Sequence, residues 1–127
     1  MPRVNYFAIP ADEPERAIGF YQAVFGWHFE VGWEYSTPQG PEKYWHVRTE
    51  NGDEAGINGG LTRREFPGQP IAVGIEVDDL EERLGRVQQQ GGKIVVPKVP
   101  LPNVGWFAVC QDSEGNTFTL VQLVKAQ

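Results

Sequence analysis

The sequence predicts an α+β protein built from two tandem βαβββ modules, and two observations carry that prediction. First, the stretch YFAIPADEPERAIGFYQAVFGW, which starts at Tyr6, aligns without gaps with AVGIEVDDLEERLGRVQQQGGK, which starts at Ala72. Second, in each copy an alternating apolar pattern gives way to helical spacing. The identical pairs, all at the constant offset that carries Tyr6 onto Ala72, are Asp12 and Asp78, Glu15 and Glu81, Gly19 and Gly85, Gln22 and Gln88, and Gly26 and Gly92.

Each copy opens with an alternating strand. In the first, Phe7 and Ile9 share one face of a strand over Tyr6 to Pro10. In the second, the shared face is formed by Ile71, Val73, Ile75 and Val77. Each face is expected to pack against the helix that follows.

A helix is predicted after each strand. The D-x-x-E spacing that begins at Asp12, and again at Asp78, is typical of a capped N-terminus. Helical spacing predicts the stripes that seat the helices on their sheets, which are Ala17, Phe20, Tyr21 and Val24 in the first copy and Leu80, Leu84 and Val87 in the second. Gly26 and Gly92 are expected to end the two helices, because glycine readily adopts the left-handed conformation found there.

Three shorter strands follow each helix, separated by turn sequences such as TPQGPE and DSEGN. They are predicted at about 27–36, 44–49, 55–61, 93–96, 105–111 and 116–124. The polar segment TRREFPGQP lies between the two sets and is read as a linker.

The composition excludes some classes of binding partner. The chain of 127 residues has a net charge of −6, which disfavours nucleic acid, and no apolar run is long enough to span a membrane. The N-terminus does not resemble a secretion signal, so a soluble cytoplasmic protein is expected. The single cysteine, Cys110, lies in the apolar run GWFAVC and is read as a buried small hydrophobe, with a reactive thiol as the alternative.

The motifs ERAIGFYQAVFGW and DSEGNTFTLVQ, within a duplicated βαβββ unit, resemble the vicinal oxygen chelate superfamily of glyoxalase I, extradiol dioxygenases and bleomycin-resistance proteins. The resemblance implies one domain over 1–127, with module one at about 1–62, a linker at about 63–70 and module two at about 71–127. It also implies a mixed sheet curled into a cup that holds a ligand, helices on the outside, and a homodimer.

In metal-using members of this superfamily, His, Gln or Glu side chains on the first and last strands of each module hold the ion. By resemblance these positions fall on Tyr6, Ala72, Thr119 and the glycine-rich strand 55–62, whose register is open and where Asn58 is a candidate. Because Ala72 has no donor atom, no metal and no other cofactor are predicted. A divalent metal with differently placed ligands remains the alternative, and His28 and His46 lie outside the superfamily's ligand positions.

Alternation predicts which side chains line the cup. The lining predicted in this way is Tyr6, Ala8, Ala72, Gly74, Thr117, Thr119 and Val121. The remaining aromatic residues are expected either to roof this space with flat apolar faces or to fill core gaps or a dimer interface; they are Trp33, Tyr35, Tyr44, Trp45 and Trp106. Glu76 is the acidic residue that alternation places in the cup. It is either a catalytic base or a residue at the solvent-exposed end of its strand. Arg63 and Arg64 are predicted either to bind a ligand carboxylate or to be solvated surface charges.

These residues predict a glyoxalase- or bleomycin-resistance-like protein that binds a small organic molecule without a metal. One alternative is a metal-independent isomerase or lyase that uses Tyr6 and Glu76 as catalytic proton-transfer groups. Another is a metal-dependent lyase or oxidoreductase of the glyoxalase or dioxygenase type.

Overall fold

The computed structural model describes residues 2–124, and its elements confirm the α+β class with the βαβββ order repeated twice. The first set is β1 (Arg3–Ala11), α1 (Pro14–Phe25), β2 (His28–Thr37), β3 (Gly40–Arg48) and β4 (Gly59–Arg63). The second set is β5 (Ala72–Glu76), α2 (Leu80–Gln89), β6 (Lys93–Leu101), β7 (Gly105–Gln111) and β8 (Thr117–Leu123).

The chain divides into two compact units. Module one is Tyr6–Ile71, and module two begins at Ala72 and includes the start of the chain through Asn5. Within the described residues, no helix is long and apolar enough to cross a bilayer.

Module one has the strand order β2-β3-β4-β1, in which β1 and β4 run parallel and the other pairs antiparallel. Helix α1 packs on one face of this sheet, where Ile18 joins a buried cluster with Ile9, Val47 and Leu61. Phe7 packs against the same cluster, so the predicted inward face of the first strand is confirmed.

Module two has the strand order β5-β8-β7-β6, in which β5 and β8 run parallel. The predicted stripe of α2 is confirmed, because Leu80 and Leu84 are buried with Val87 packed against them. Cys110 is buried in this cluster, and burial raises the pKa of its thiol to about 11. A thiol that stays protonated at neutral pH fits the reading of Cys110 as a small hydrophobe.

The predicted stripe of α1 is wrong at two positions. Phe20 and Val24 are 59% and 54% exposed. The residues that meet the sheet are Ile18, with Ala17 and Tyr21 packed beside it. Because an α-helix has 3.6 residues per turn, a sheet-facing stripe centred on Ile18 and Tyr21 rotates Phe20 and Val24 outward.

Three of the four helix ends differ from prediction, by one or two residues. The N-caps are Glu13, which makes no capping side-chain bond, and Asp79, whose Oδ1 accepts a hydrogen bond from the Glu82 N–H at 3.2 Å. Gly26 ends α1 with φ 72° as predicted, whereas α2 ends before Gly91, with φ 90°, rather than at Gly92.

Four strands differ from their predicted bounds by three or more residues. Strand β1 begins at Arg3 rather than Tyr6, and β3 begins at Gly40 rather than near Tyr44. Strand β4 begins at Gly59 rather than near Ala55, and β6 continues to Leu101 through Pro97 and Pro100. Proline lacks an N–H to donate, but β6 is the outer strand of its module, where that donor is not needed on the open side.

Candidate functional site

The sheet of module one has a second face, opposite α1, which is called the aromatic face below. Ala8 pairs with Gly60 and Gly60 with His46, and residues paired in this way share a face of the sheet. Tyr44 lies two residues before His46 on β3, and Trp33 pairs with Tyr44. The aromatic face therefore consists of Tyr6, Ala8, Gly60, Tyr44, His46 and Trp33.

A bulge in β2 aims Trp33 at this face. Phe29 packs with the helix-side cluster, and simple alternation would put Trp33 there as well. The register instead shifts between Val31 and Trp33, so Gly32 is an extra residue that turns the strand. A glycine within a strand is the sequence signal for such a bulge, and simple alternation overlooks it.

The aromatic side chains contact one another closely. The rings of Trp33 and Tyr44 stack with centroids 4.2 Å apart and planes within 4°. The His46 ring meets both edge-on, at 5.3 Å from Trp33 and 5.4 Å from Tyr44. Glycine makes room for this cluster, since a Cβ atom on Gly32 would lie 2.6 Å from His46 Nε2. The result is a preformed flat apolar wall.

The polar atoms of this wall are set to donate hydrogen bonds. Burial raises the pKa of Tyr44 above its ordinary value, and the nearby Tyr6 and Tyr35 raise it further. Burial also raises the pKa of Tyr35 to about 12, and Glu65 adds to the shift. Both phenols therefore remain protonated at neutral pH. Trp33 Nε1 is buried and has no hydrogen-bond partner within the part of the chain that the structure describes.

The strand registers show how the residues that the resemblance assigned to the metal positions pair with one another. Ala8 pairs with Gly60 in module one, and its repeat counterpart Gly74 pairs with Thr119 in module two. Gly60 is therefore the counterpart of Thr119. Asn58, the earlier candidate, instead accepts a hydrogen bond from the Thr49 N–H at 2.9 Å.

The donor set at these positions does not suit a divalent ion. In module one the pair is Tyr6 and Gly60, and the Tyr44 ring covers Gly60 so closely that a Cβ there would lie 2.5 Å from Tyr44 Cε2. In module two the pair is Ala72 and Thr119. Each pair supplies at most one neutral oxygen, whereas such sites use imidazole and carboxylate ligands. Among the described residues no three His, Cys, Asp or Glu side chains cluster in a way that could hold a metal.

The face of module two opposite α2 carries the rest of the predicted lining. Gly74 pairs with Thr119 and Glu76 with Val121, while Ala72 and Thr117 lie two residues earlier on the same strands. Glu76 Oε1 accepts hydrogen bonds from Arg3 Nη2 at 3.1 Å and Asn5 Nδ2 at 2.7 Å. The carboxylate that was predicted as a possible base is thus engaged in an ion pair.

Two predicted lining residues lie on the other face of their sheets. Trp45 packs with the cluster under α1, and Trp106 packs with the cluster under α2. Adjacent residues of a strand point to opposite faces, so Tyr44 and Trp45 cannot both line one wall. The same rule places Phe107 rather than Trp106 on the open face of module two, where it pairs with Val121.

The remaining candidates are engaged elsewhere or exposed. Arg63 Nε bonds to Glu42 at 3.0 Å, and Arg64 Nε bonds to Asp12 at 2.9 Å. Both arginines therefore hold the end of β4 and the linker to their own module. His28 is exposed at the start of β2, away from the stacked rings.

Comparison with known proteins gives one family and one fold. A model of the glyoxalase/bleomycin resistance protein/dioxygenase superfamily matches residues 3–120. A glyoxylase-like domain-containing protein of Didymella fabae is 31% identical over 120 residues, which cover 93% of this chain and 91% of that protein. A Mycobacterium bovis protein named "Putative glyoxylase CFP32" is 29% identical over 87% of this chain, which spans only 40% of its length.

A solved structure adds agreement in fold. Streptomyces coelicolor methylmalonyl-CoA epimerase, in complex with 2-nitronate-propionyl-CoA, superposes with a TM-score of 0.64 over 98% of this chain and 96% of its own. The sequence identity is 13%, so the match concerns the fold alone.

Proposed function

The chain belongs to the glyoxalase/bleomycin resistance protein/dioxygenase superfamily, and within it we propose that this protein binds a flat organic molecule bearing an acceptor oxygen on its aromatic face. The observation that carries the proposal is the Trp33–Tyr44 stack, which covers the glycine where metal-using members carry a ligand. A wall of stacked rings favours planar apolar surface, because such contacts add to the free energy gained by burying area.

The acceptor oxygen follows from the hydrogen-bond donors. A buried indole N–H without a partner costs about 1–3 kcal/mol, so a small shift of the Trp33 ring that brought Nε1 to a ligand carbonyl or carboxylate oxygen would recover that free energy. The Tyr44 phenol is protonated at neutral pH and offers a second donor, on the ring that stacks on Trp33. These two donors, without a lysine or arginine among the residues of the aromatic face, favour a neutral or singly charged ligand.

Binding on the aromatic face needs no metal. The residues at the metal positions provide one phenol and one hydroxyl where imidazole and carboxylate groups are needed. His46 contributes one imidazole to the aromatic face, but no second imidazole and no carboxylate is among the residues of that face, so they do not form a metal-binding donor set. The side chains of this site therefore fit metal-free binding better than metal-dependent catalysis.

The test is a binding titration with probes of matched size. We expect 2-naphthoate, which carries acceptor oxygens, to quench tryptophan fluorescence saturably, and 2-naphthylamine to bind more weakly. Trp33→Phe keeps the ring and removes the N–H, so it should weaken 2-naphthoate binding about 5–10-fold, the worth of one hydrogen bond of about 1 kcal/mol. Trp45→Phe, which alters the helix side of the same sheet, is the matched control and should leave the affinity unchanged.

Three outcomes would count against the proposal. Equal loss of affinity in Trp33→Phe and Trp45→Phe would mean that the probe does not sit on the aromatic face. Stoichiometric zinc, nickel, manganese or iron in protein purified without chelator would overturn the metal-free reading. Turnover of an identified substrate that is abolished by Tyr6→Phe would replace a binding role with a catalytic one.

A further inference from the structure

Helix α1 carries an apolar stripe that faces away from its own sheet. It is formed by Gly19, Phe20, Ala23 and Val24, all exposed, and is called the outer stripe below. These positions follow the i, i+1, i+4, i+5 spacing of one helix face. Phe20 contacts Tyr21 edge-on but remains 59% exposed, so packing within module one does not account for the stripe.

The internal repeat supplies a control for this feature. In the alignment that places Tyr6 on Ala72, the outer stripe corresponds on α2 to Gly85, Arg86, Gln89 and Gln90. The three side chains there are polar and exposed, which is ordinary for the outer face of a helix on a sheet. The βαβββ fold therefore does not require apolar residues at these positions, and the outer stripe of α1 needs another explanation.

We propose that two copies of the chain pack their outer stripes together, with the two α1 helices antiparallel about a twofold axis. A twofold axis that passes between Phe20 and Ala23 sets Phe20 of each copy opposite Ala23 of the other. The same axis sets Val24 opposite Gly19. Each large side chain then meets a small one, which is the self-complementary fit that an isologous interface requires.

Charge supports the antiparallel arrangement. In it, Arg16 at the start of α1 lies beside the C-terminal end of the other helix. That end carries the negative pole of the helix dipole and has no basic residue in its last turn. Within its own chain Arg16 pairs with exposed Glu13, at 3.0 Å, so it can reach across at little cost.

The available area indicates a weak dimer. A fully buried Phe covers about 150–250 Å², so the exposed parts of Phe20 and Val24 supply roughly 200 Å² of apolar area per copy. The two copies together therefore bury roughly 400 Å² of apolar area from these side chains, and with the flanking residues of α1 the interface lies at the low end of specific interfaces. We therefore expect dissociation at about micromolar concentration.

Sedimentation over a concentration series tests the proposal with variants that the chain itself suggests. A Cβ at Gly19 or at Gly85 meets open space, so Gly19→Leu and Gly85→Leu should both fold. Gly19→Leu fills the gap opposite Val24 and should weaken dimerisation at least about 10-fold. Gly85→Leu is the matched control on α2 and should leave the dimer intact. Replacing Phe20, Ala23 and Val24 by the α2 residues Arg, Gln and Gln should give a monomer.

The Gly19→Leu variant distinguishes a complementary interface from non-specific hydrophobic association. If exposed apolar area alone drives association, the added leucine strengthens it, and that result overturns the proposal. A wild-type chain that remains monomeric at about 1 mM overturns it too. So does a dimer that survives the triple replacement, because its interface then lies elsewhere.

Discussion

The close approach of Tyr44 to Gly60 gives a sharp prediction for Gly60→Ala. An alanine Cβ at this position would lie 2.5 Å from Tyr44 Cε2, and still closer to the phenol carbon and oxygen, whereas ordinary contacts begin near 3.4 Å. The ring must therefore retreat by about 1 Å or more. Retreat is resisted because Tyr44 stacks on Trp33 at 4.2 Å and contacts His46 edge-on.

The expected loss of stability is the overpacking cost of about 1–3 kcal/mol, to which a disturbed aromatic stack adds about 0.5–1.5 kcal/mol. Urea unfolding followed by tryptophan fluorescence measures it, and 2-naphthoate affinity should fall in the same variant. Gly85→Ala is the control for the substitution itself. Its Cβ meets open space on α2, so it should stabilise by up to about 1 kcal/mol.

A double-mutant cycle locates the cause. In a Tyr44→Ala background the obstructing ring is gone, so Gly60→Ala should cost close to nothing, and the coupling energy should account for most of the single-mutant loss. If the two substitutions are instead additive within about 0.5 kcal/mol, the Tyr44 ring does not press on Gly60 and the description of the aromatic face is wrong.

Two further predictions concern module two and the response to alkali. Asp79→Ala should lower the free energy of unfolding by about 1 kcal/mol, because the Asp79 side chain caps the Glu82 N–H. Glu13→Ala should change it little, since the Glu13 side chain makes no capping hydrogen bond. The midpoints of urea unfolding compare the two variants. Stability should also fall as pH rises above about 9 and on through 11 to 12. The folded chain raises the pKa of Cys110 from 9.0 to about 11 and that of Tyr35 from 10.0 to about 12, so the unfolded chain loses those protons first. A flat urea midpoint over this range would contradict the burial of both groups.

The fold could be predicted because its signals are repeated and local. The constant offset of the repeat pairs β1 and α1 with β5 and α2. Alternation correctly identified Phe7 and Ile9, and Ile75 and Val77, as the residues that meet the helices, whereas Ile71 and Val73 of the predicted face are 60% and 49% exposed. Helix ends were predicted to within a residue or two. The errors there arose because neighbouring acids, such as Asp78 and Asp79, offer equivalent caps and only the backbone decides between them.

The candidate site was harder to predict because strand pairing decides it. Trp45 and Trp106 were predicted as walls from their aromatic character rather than from a strand register, and the registers give the open face to their neighbours Tyr44 and Phe107 instead. The face on which Trp33 lies depends on a one-residue register shift at Gly32. Strict alternation of side chains along a strand does not include such a shift. The sequence did hold one usable signal, a glycine inside a strand immediately before an aromatic residue.

The outer stripe shows how the repeat can separate fold from function. Phe20 and Val24 fit a helical period, so period analysis assigned them to the core, and only their exposure revealed the error. Yet their counterparts on α2, Arg86 and Gln90, already showed that the fold leaves these positions unconstrained. Where two modules share a fold, a residue that is apolar in both copies reports on the core. One that is apolar in a single copy, as in the outer stripe, points to what that module does.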